Sequence, residues 1–142
     1  MPSTQSTLPP VRQFPVVGQY MTPAPHTIEP GRSLASARRI MQEHHVRHLP
    51  VLRGGRIVGL VSERDLLLVE TLLGVNPTNV PVEEAMVQDI FAVDPDAPVG
   101  EVVEQMIARK FGSAVVCQGD RVVGVFTTID ALRALHELLE AR

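Results

Sequence analysis

Two short spacings carry the chemistry that this chain could do. Ser62 is followed three residues later by Asp65, and Thr127 by Asp130. Each pair ends an apolar run that opens on glycine, Gly59-Leu60-Val61 and Gly124-Val125-Phe126. A glycine inside such a run marks a place where a backbone or a ligand comes close. The hydroxyl then falls at a strand-to-helix turn, where unbonded helix amides and the positive end of the dipole favour an anion. The acid lies about one turn into the helix, and its two oxygens accept two hydroxyl donors. The same spacing is a capping box, in which hydroxyl and carboxylate satisfy the free amides of their own helix. The two roles can coexist.

Other reactive residue types give less. His26, His44, His45, His48 and His136 show no His-x3-His pair and no neighbouring carboxylate cluster at ligand spacing, so no metal site is expected. Ser62 has no Gly-x-Ser-x-Gly elbow, and the glycines do not build a phosphate loop of the Gly-x4-Gly-Lys kind; no enzyme is expected. Cys117 is the only cysteine and cannot form an internal disulfide. Its apolar neighbours Val115 and Val116 make it a small core residue. A net charge of −3, mixed along the chain, argues against a dedicated nucleic-acid binder. No run approaches the roughly 18 apolar residues of a membrane span, and Met1 to Pro10 lacks the pattern of a signal peptide. A cytoplasmic protein is expected.

The elements that must position the two pairs come from an internal duplication. Displaced by 65 positions, the chain falls on itself: Met21 on Met86, Pro30 on Pro95, Met41 on Met106, Val51 on Val116, Gly54 on Gly119, Val58-Gly59 on Val123-Gly124, Asp65 on Asp130. Each copy reads as a short strand around Ile28 or Val93, then a helix over 33–44 or 98–110. Leu34, Ala37 and Met41 share one helical face, as do Val99, Val102 and Met106. Ser33 caps the first helix, and Pro98 suits the first turn of the second. Strands over 48–53 and 56–61, or 113–118 and 121–126, flank the turn residues Gly54-Gly55 and Gly119-Asp120. A closing helix starts near Glu63 or Thr128. Short turns, 16–21 and 82–86, lead each copy. The domains expected are a flexible tail over 1–13, copies over 14–73 and 82–142, and a linker over 74–81. A strand-helix-strand-strand-helix unit leaves one sheet face open, so the two copies should pack sheet to sheet around a shared core, an α+β fold.

Met21-Thr22-Pro23, Val46-Arg47-His48-Leu49-Pro50-Val51 and Gly59-Leu60-Val61-Ser62-Glu63-Arg64-Asp65, with Gly124-Val125-Phe126-Thr127-Thr128-Ile129-Asp130 in the second copy, resemble a tandem pair of cystathionine-β-synthase (CBS) domains. The resemblance covers about residues 16–135. It implies two β-α-β-β-α repeats about a pseudo-twofold axis, a regulatory role, and an adenine ligand in the clefts between repeats. AMP, ADP and ATP come first, ahead of NAD and S-adenosylmethionine, and no cofactor is required. By the same resemblance Ser62, Asp65, Thr127 and Asp130 contact the nucleotide, the acids through the ribose hydroxyls. Arg47, His48 and Arg64 meet the phosphates, and Ile28 and Val93 flank the adenine or simply pack the core. Arg47 and His48 face Gly112 and Ser113 across the duplication, so the two clefts need not bind equally. A homodimer is expected, with a further protein partner open. The competing expectation is a dimerising adaptor that needs no ligand, its interface supplied by Leu132, Leu135, Leu138 and Leu139, unless those leucines cover their own sheet.

Overall fold

The structure, a computed structural model, describes residues 14–24 and 26–141; the tail expected over 1–13 lies outside them. The first copy contains α1 (Val17–Tyr20), β1 (Thr22–Pro23), α2 (Leu34–His44), β2 (His48–Arg53), β3 (Arg56–Ser62) and α3 (Glu63–Leu73). A single 3-10 turn, Val82–Glu84, opens the second copy, followed by β4 (Ala92–Val93), α4 (Val99–Arg109), β5 (Ser113–Gln118), β6 (Arg121–Thr127) and α5 (Thr128–Glu140). No helix among the described residues is long and apolar enough to cross a membrane.

Local rules account for most of these limits. Ser33 Oγ accepts the amide of Ser36 at 3.1 Å and caps α2. Pro98 stands one residue earlier than expected, at the cap of α4, where its φ of −61° leads into the helix without a side-chain bond. Helices α2 and α4 both end on a left-handed residue that is not glycine, His45 at φ 54° and Lys110 at φ 60°. Both hairpins turn through positive φ, at Gly54 and Gly55 in the first and at Gly119 in the second.

The second sheet has the order β1-β6-β5-β4, with β4 parallel to β5 and the other pairs antiparallel. The first copy repeats this with shorter edges: Ile28 bridges Val51 in parallel on one side of β2-β3, and Val87 bridges Leu60 antiparallel on the other. The outer strand of each sheet therefore comes from the leader of the other copy. The amides of Val17 and Gly18 donate to Ala97 and Pro95, both at 2.9 Å, while those of Val82 and Glu83 donate to Arg32 and Pro30 at 2.7 and 3.0 Å. Val17 is buried in the core of the second copy, and Val82 and Ala85 in that of the first. Each leader thus completes its partner's core as well as its sheet. A third cluster, Leu60 with Val115 and Val125, joins the two sheets face to face. The architecture is the α+β arrangement of two repeats packed sheet to sheet.

Gly59 and Gly124 are where the exchanged segments cross. A Cβ built on Gly124 would lie 2.5 Å from Met21 Sδ and 2.9 Å from Thr22 O; one built on Gly59 would lie 2.5 Å from Met86 Sδ and 3.0 Å from Val87 O. The space these glycines leave is filled by a methionine side chain and the carbonyl of the residue after it.

Candidate functional site

Both hydroxyl–acid pairs form complete capping boxes. Ser62 Oγ accepts the amide of Asp65 at 3.1 Å, and Asp65 Oδ2 accepts the amide of Ser62 at 2.9 Å. Thr127 Oγ1 accepts the amide of Asp130 at 3.3 Å, and Asp130 Oδ2 accepts the amide of Thr127 at 2.9 Å. The first helix amides are engaged further: Glu63 N–H donates to Arg47 O at 2.9 Å, and Thr128 N–H to Gly112 O at 3.2 Å. Two of the first three amides of each helix are therefore occupied, so charge on a ligand here falls mainly to side chains.

The two carboxylates differ in what else they hold. Asp130 is 1% exposed and also accepts the Thr22 hydroxyl, at 3.2 and 3.4 Å, and the Arg133 guanidinium at 3.1 Å. Asp65 is half-buried, and among the described residues no protein donor reaches its Oδ1. The duplication explains this. The position of Thr22 is held by Val87 in the other copy, and that of Arg133 by Leu68.

Each box closes one wall of a cleft whose other wall belongs to the other copy. The first cleft, about 280 Å³, sets Ser62 and Asp65 against Asp89, Phe91, Lys110 and Phe111. The second, about 570 Å³, sets Thr127, Asp130 and Arg133 against Thr22, His26, His45 and Arg47. Small-molecule sites usually span roughly 300–1,000 Å³. His48 lines both clefts. Burial lowers its imidazole below the ordinary value near 6.5, against the opposing pull of Asp65 and Asp130, while Arg47 lowers it further. His45 and Lys110, the two left-handed residues, hold corresponding places, one in each cleft.

Of the nine residues singled out from the sequence, Ser62, Asp65 and His48 come together in the first cleft, and Thr127, Asp130, Arg47 and His48 in the second. Arg64, Ile28 and Val93 line neither cleft. Ile28 is buried in the first core, and Val93 packs against the second. Apolar walls come instead from Ile90, Phe91 and Phe111 in the first cleft and from Ala24, Val46 and Ile129 in the second. Thr22, His26, His45 and Arg133 were not foreseen. Only Arg133 had a local signal, standing three residues after Asp130 on one helix.

Elsewhere, His26 and His44 stack with ring centres 3.6 Å apart. No group of three His, Cys, Asp or Glu among the described residues could hold a metal ion. Burial raises the Cys117 thiol above its ordinary range.

The family model for the CBS domain matches residues 17–70 and again residues 82–137. The A-adding tRNA nucleotidyltransferase of Geobacter sulfurreducens is 30% identical over 110 residues, and that of Aquifex aeolicus 34% over 127. These alignments take in 78% and 87% of this chain, which spans only 12% and 15% of those proteins' own length. Among solved structures, the CBS domain pair of protein MJ0100, in complex with 5′-methylthioadenosine and S-adenosyl-L-methionine, superposes with a TM-score of 0.75 at 25% identity. The match covers 87% of this chain and 98% of that one.

Proposed function

This chain belongs to the CBS-domain family, and from that premise we propose that it is a cytoplasmic regulatory module that binds adenine nucleotides between its repeats. The observation that supports this most is the pair of clefts, each setting a Ser/Thr-x-x-Asp box of one repeat against the other repeat. The adenosyl ligands held by the related pair of protein MJ0100 point to the same class of ligand. AMP, ADP and ATP lead the candidates.

In the second cleft a ribose reaching Asp130 takes over the oxygens now shared by Thr22 and Arg133. Arg133, largely exposed, is then free to turn with Arg47 toward a phosphate. Thr22 belongs to the exchanged strand β1, so the exchange of partners at Asp130 acts on the link between the copies. A ligand shifts the arrangement only as far as it prefers one state of that link.

Transmission then runs through a homodimer. Ile129, Leu132, Leu135, Leu138 and Leu139 on α5, and Leu67, Leu68, Leu72 and Leu73 on α3, are all at least half exposed. The sheet side of α5 is supplied by Asp130 and Ala134, which leaves the leucines to a partner surface. The same stripe on both closing helices suits a self-complementary twofold contact. Those leucines also favour a second reading, a dimerising adaptor that needs no ligand.

A thermal-shift panel with AMP, ADP, ATP, NAD and S-adenosylmethionine, and GTP as contrast, separates the two. A concentration-dependent rise with adenine compounds alone, diminished in Asp65→Ala or Asp130→Ala, is the expected result. No rise at millimolar ligand removes the sensor and leaves the adaptor. An equal rise in wild type and both variants removes the ribose role of the acids.

A further inference from the structure

The duplication lets the two clefts be compared wall by wall. Where the first cleft has Asp89, Phe91 and Phe111, the second has Ala24, His26 and Val46. Gly112 and Ser113 correspond to Arg47 and His48, and Leu68 to Arg133. The charge differences in this set run one way, and only Lys110, which holds the place of His45, runs the other. The first cleft sets two carboxylates, Asp65 and Asp89, against the single ammonium of Lys110. The second sets the one carboxylate of Asp130 against the guanidiniums of Arg47 and Arg133, with His26 and His45 beside them. His48 is common to both and does not discriminate.

Shape and surface divide in the same direction. The first cleft is about half the size of the second, 280 against 570 Å³. Phe91 and Phe111 stand on its wall with ring centres 5.7 Å apart and planes 16° from parallel. Arg109 lies over both rings, 4.7 Å from the centre of Phe111, but does not line the cleft. With Arg109 already lying over those rings, attraction for a cation rests on the carboxylates of Asp65 and Asp89, while the rings give a flat base an apolar wall. The same carboxylates repel a phosphate chain, and such repulsion is how a site rejects the wrong ligand.

We propose that the two clefts have separated by ligand charge: the second takes a phosphorylated adenine nucleotide, and the first an adenosyl compound whose 5′ substituent is uncharged or cationic. This rests on the adenine-ligand reading above and assigns a ligand class to each half of it. The chain then compares two adenine compounds instead of reading one twice.

Calorimetric titration with ATP and with S-adenosylmethionine, alone and each into protein saturated with the other, tests the division. One of each is expected to bind per chain, with neither removing the other. Arg47→Gly puts the first cleft's residue into the second and should weaken ATP about tenfold, the loss of one charge-assisted contact. Asp89→Ala makes the converse change and should weaken S-adenosylmethionine several-fold. Both side chains are exposed, and an unchanged melting temperature without ligand confirms that each variant folds. Two ATP molecules per chain, full displacement of one ligand by the other, or binding of ATP with none of S-adenosylmethionine each overturns the division while leaving the adenine-ligand reading intact. If no adenine compound binds, that reading falls and the division with it.

Discussion

Replacing Gly124 by alanine tests how the exchanged strand holds the second cleft. Neither Gly124 nor Gly59 has a positive φ, so the requirement is space and not dihedral freedom. The new methyl would meet Met21 Sδ at 2.5 Å and Thr22 O at 2.9 Å. The thioether can swing away, but the carbonyl belongs to β1 and moves only if the strand moves. Overpacking of this kind costs about 1–3 kcal/mol. Exchanging glycine for alanine in an extended segment returns about 0.5–1 kcal/mol. A net loss of about 1–2 kcal/mol is expected, or roughly 3–8 °C in Tm for a chain of this length. Urea unfolding of the variant measures it. Because Thr22, Pro23 and Ala24, on and beside β1, line the second cleft, the shift also displaces that wall, and the nucleotide-dependent rise in Tm should shrink along with basal stability. Adding Met21→Ala should recover only the sulfur's share of the loss. A Gly124→Ala protein as stable as wild type, with full ligand response, would refute the claim that the glycine serves the strand crossing.

Three further outcomes follow from named contacts. Arg38 donates to Glu70 Oε2 at 2.7 Å, and Glu70 Oε1 is buried with no partner in the described structure, so Arg38→Met should cost about 1–2 kcal/mol in urea unfolding. Adding Glu70→Leu should recover most of that loss; a neutral single variant shows the bridge to be dispensable. His48 has a lowered pKa in the fold, so the unfolded chain binds the proton first, and stability present above about 6.5 is lost as pH falls through the native value. Chemical denaturation in that range should show a flatter pH slope for His48→Gln, and identical slopes would remove His48 as the cause. Leu135→Glu, on the exposed face of α5, should shift the mass measured by light scattering from dimer toward monomer, whereas a wild type already monomeric at high concentration defeats the proposed interface.

Local spacing made much of this protein legible. Helix periodicity marked Leu34, Ala37 and Met41, and all three are buried on one face of α2. Glycines placed both hairpin turns, and the offset of 65 residues predicted the second copy from the first. The Ser62–Asp65 and Thr127–Asp130 pairs lie within one helical turn, so their mutual contact needed no knowledge of the rest of the fold. The different charge of the two cleft walls was legible only in part: Arg47, which has Gly112 as its counterpart, lines the second cleft alone, whereas His48 lines both.

What the sequence left open lies between residues far apart in the chain. Thr22 and Asp130 are 108 positions apart, and their bond exists because β1 crosses to β6. A leader packed on its own copy would bury Val17 or Val82 in an equivalent groove, so hydrophobic pattern alone does not choose between home and exchanged pairing. The tertiary structure chose exchange, and with it decided that Arg47 faces Asp130 and not Asp65. It also turned Ile28 into the first core and Val93 against the second, and brought Phe91 and His26 to the cleft walls. Period-2 alternation says that successive strand residues face opposite ways, but not which face meets the other copy. Sequence by itself determined the repeated unit and the chemistry at the start of each closing helix. Only the packing of one copy against the other determined which charges share a cleft, because that depends on a contact between surfaces whose apolar patterns are nearly the same.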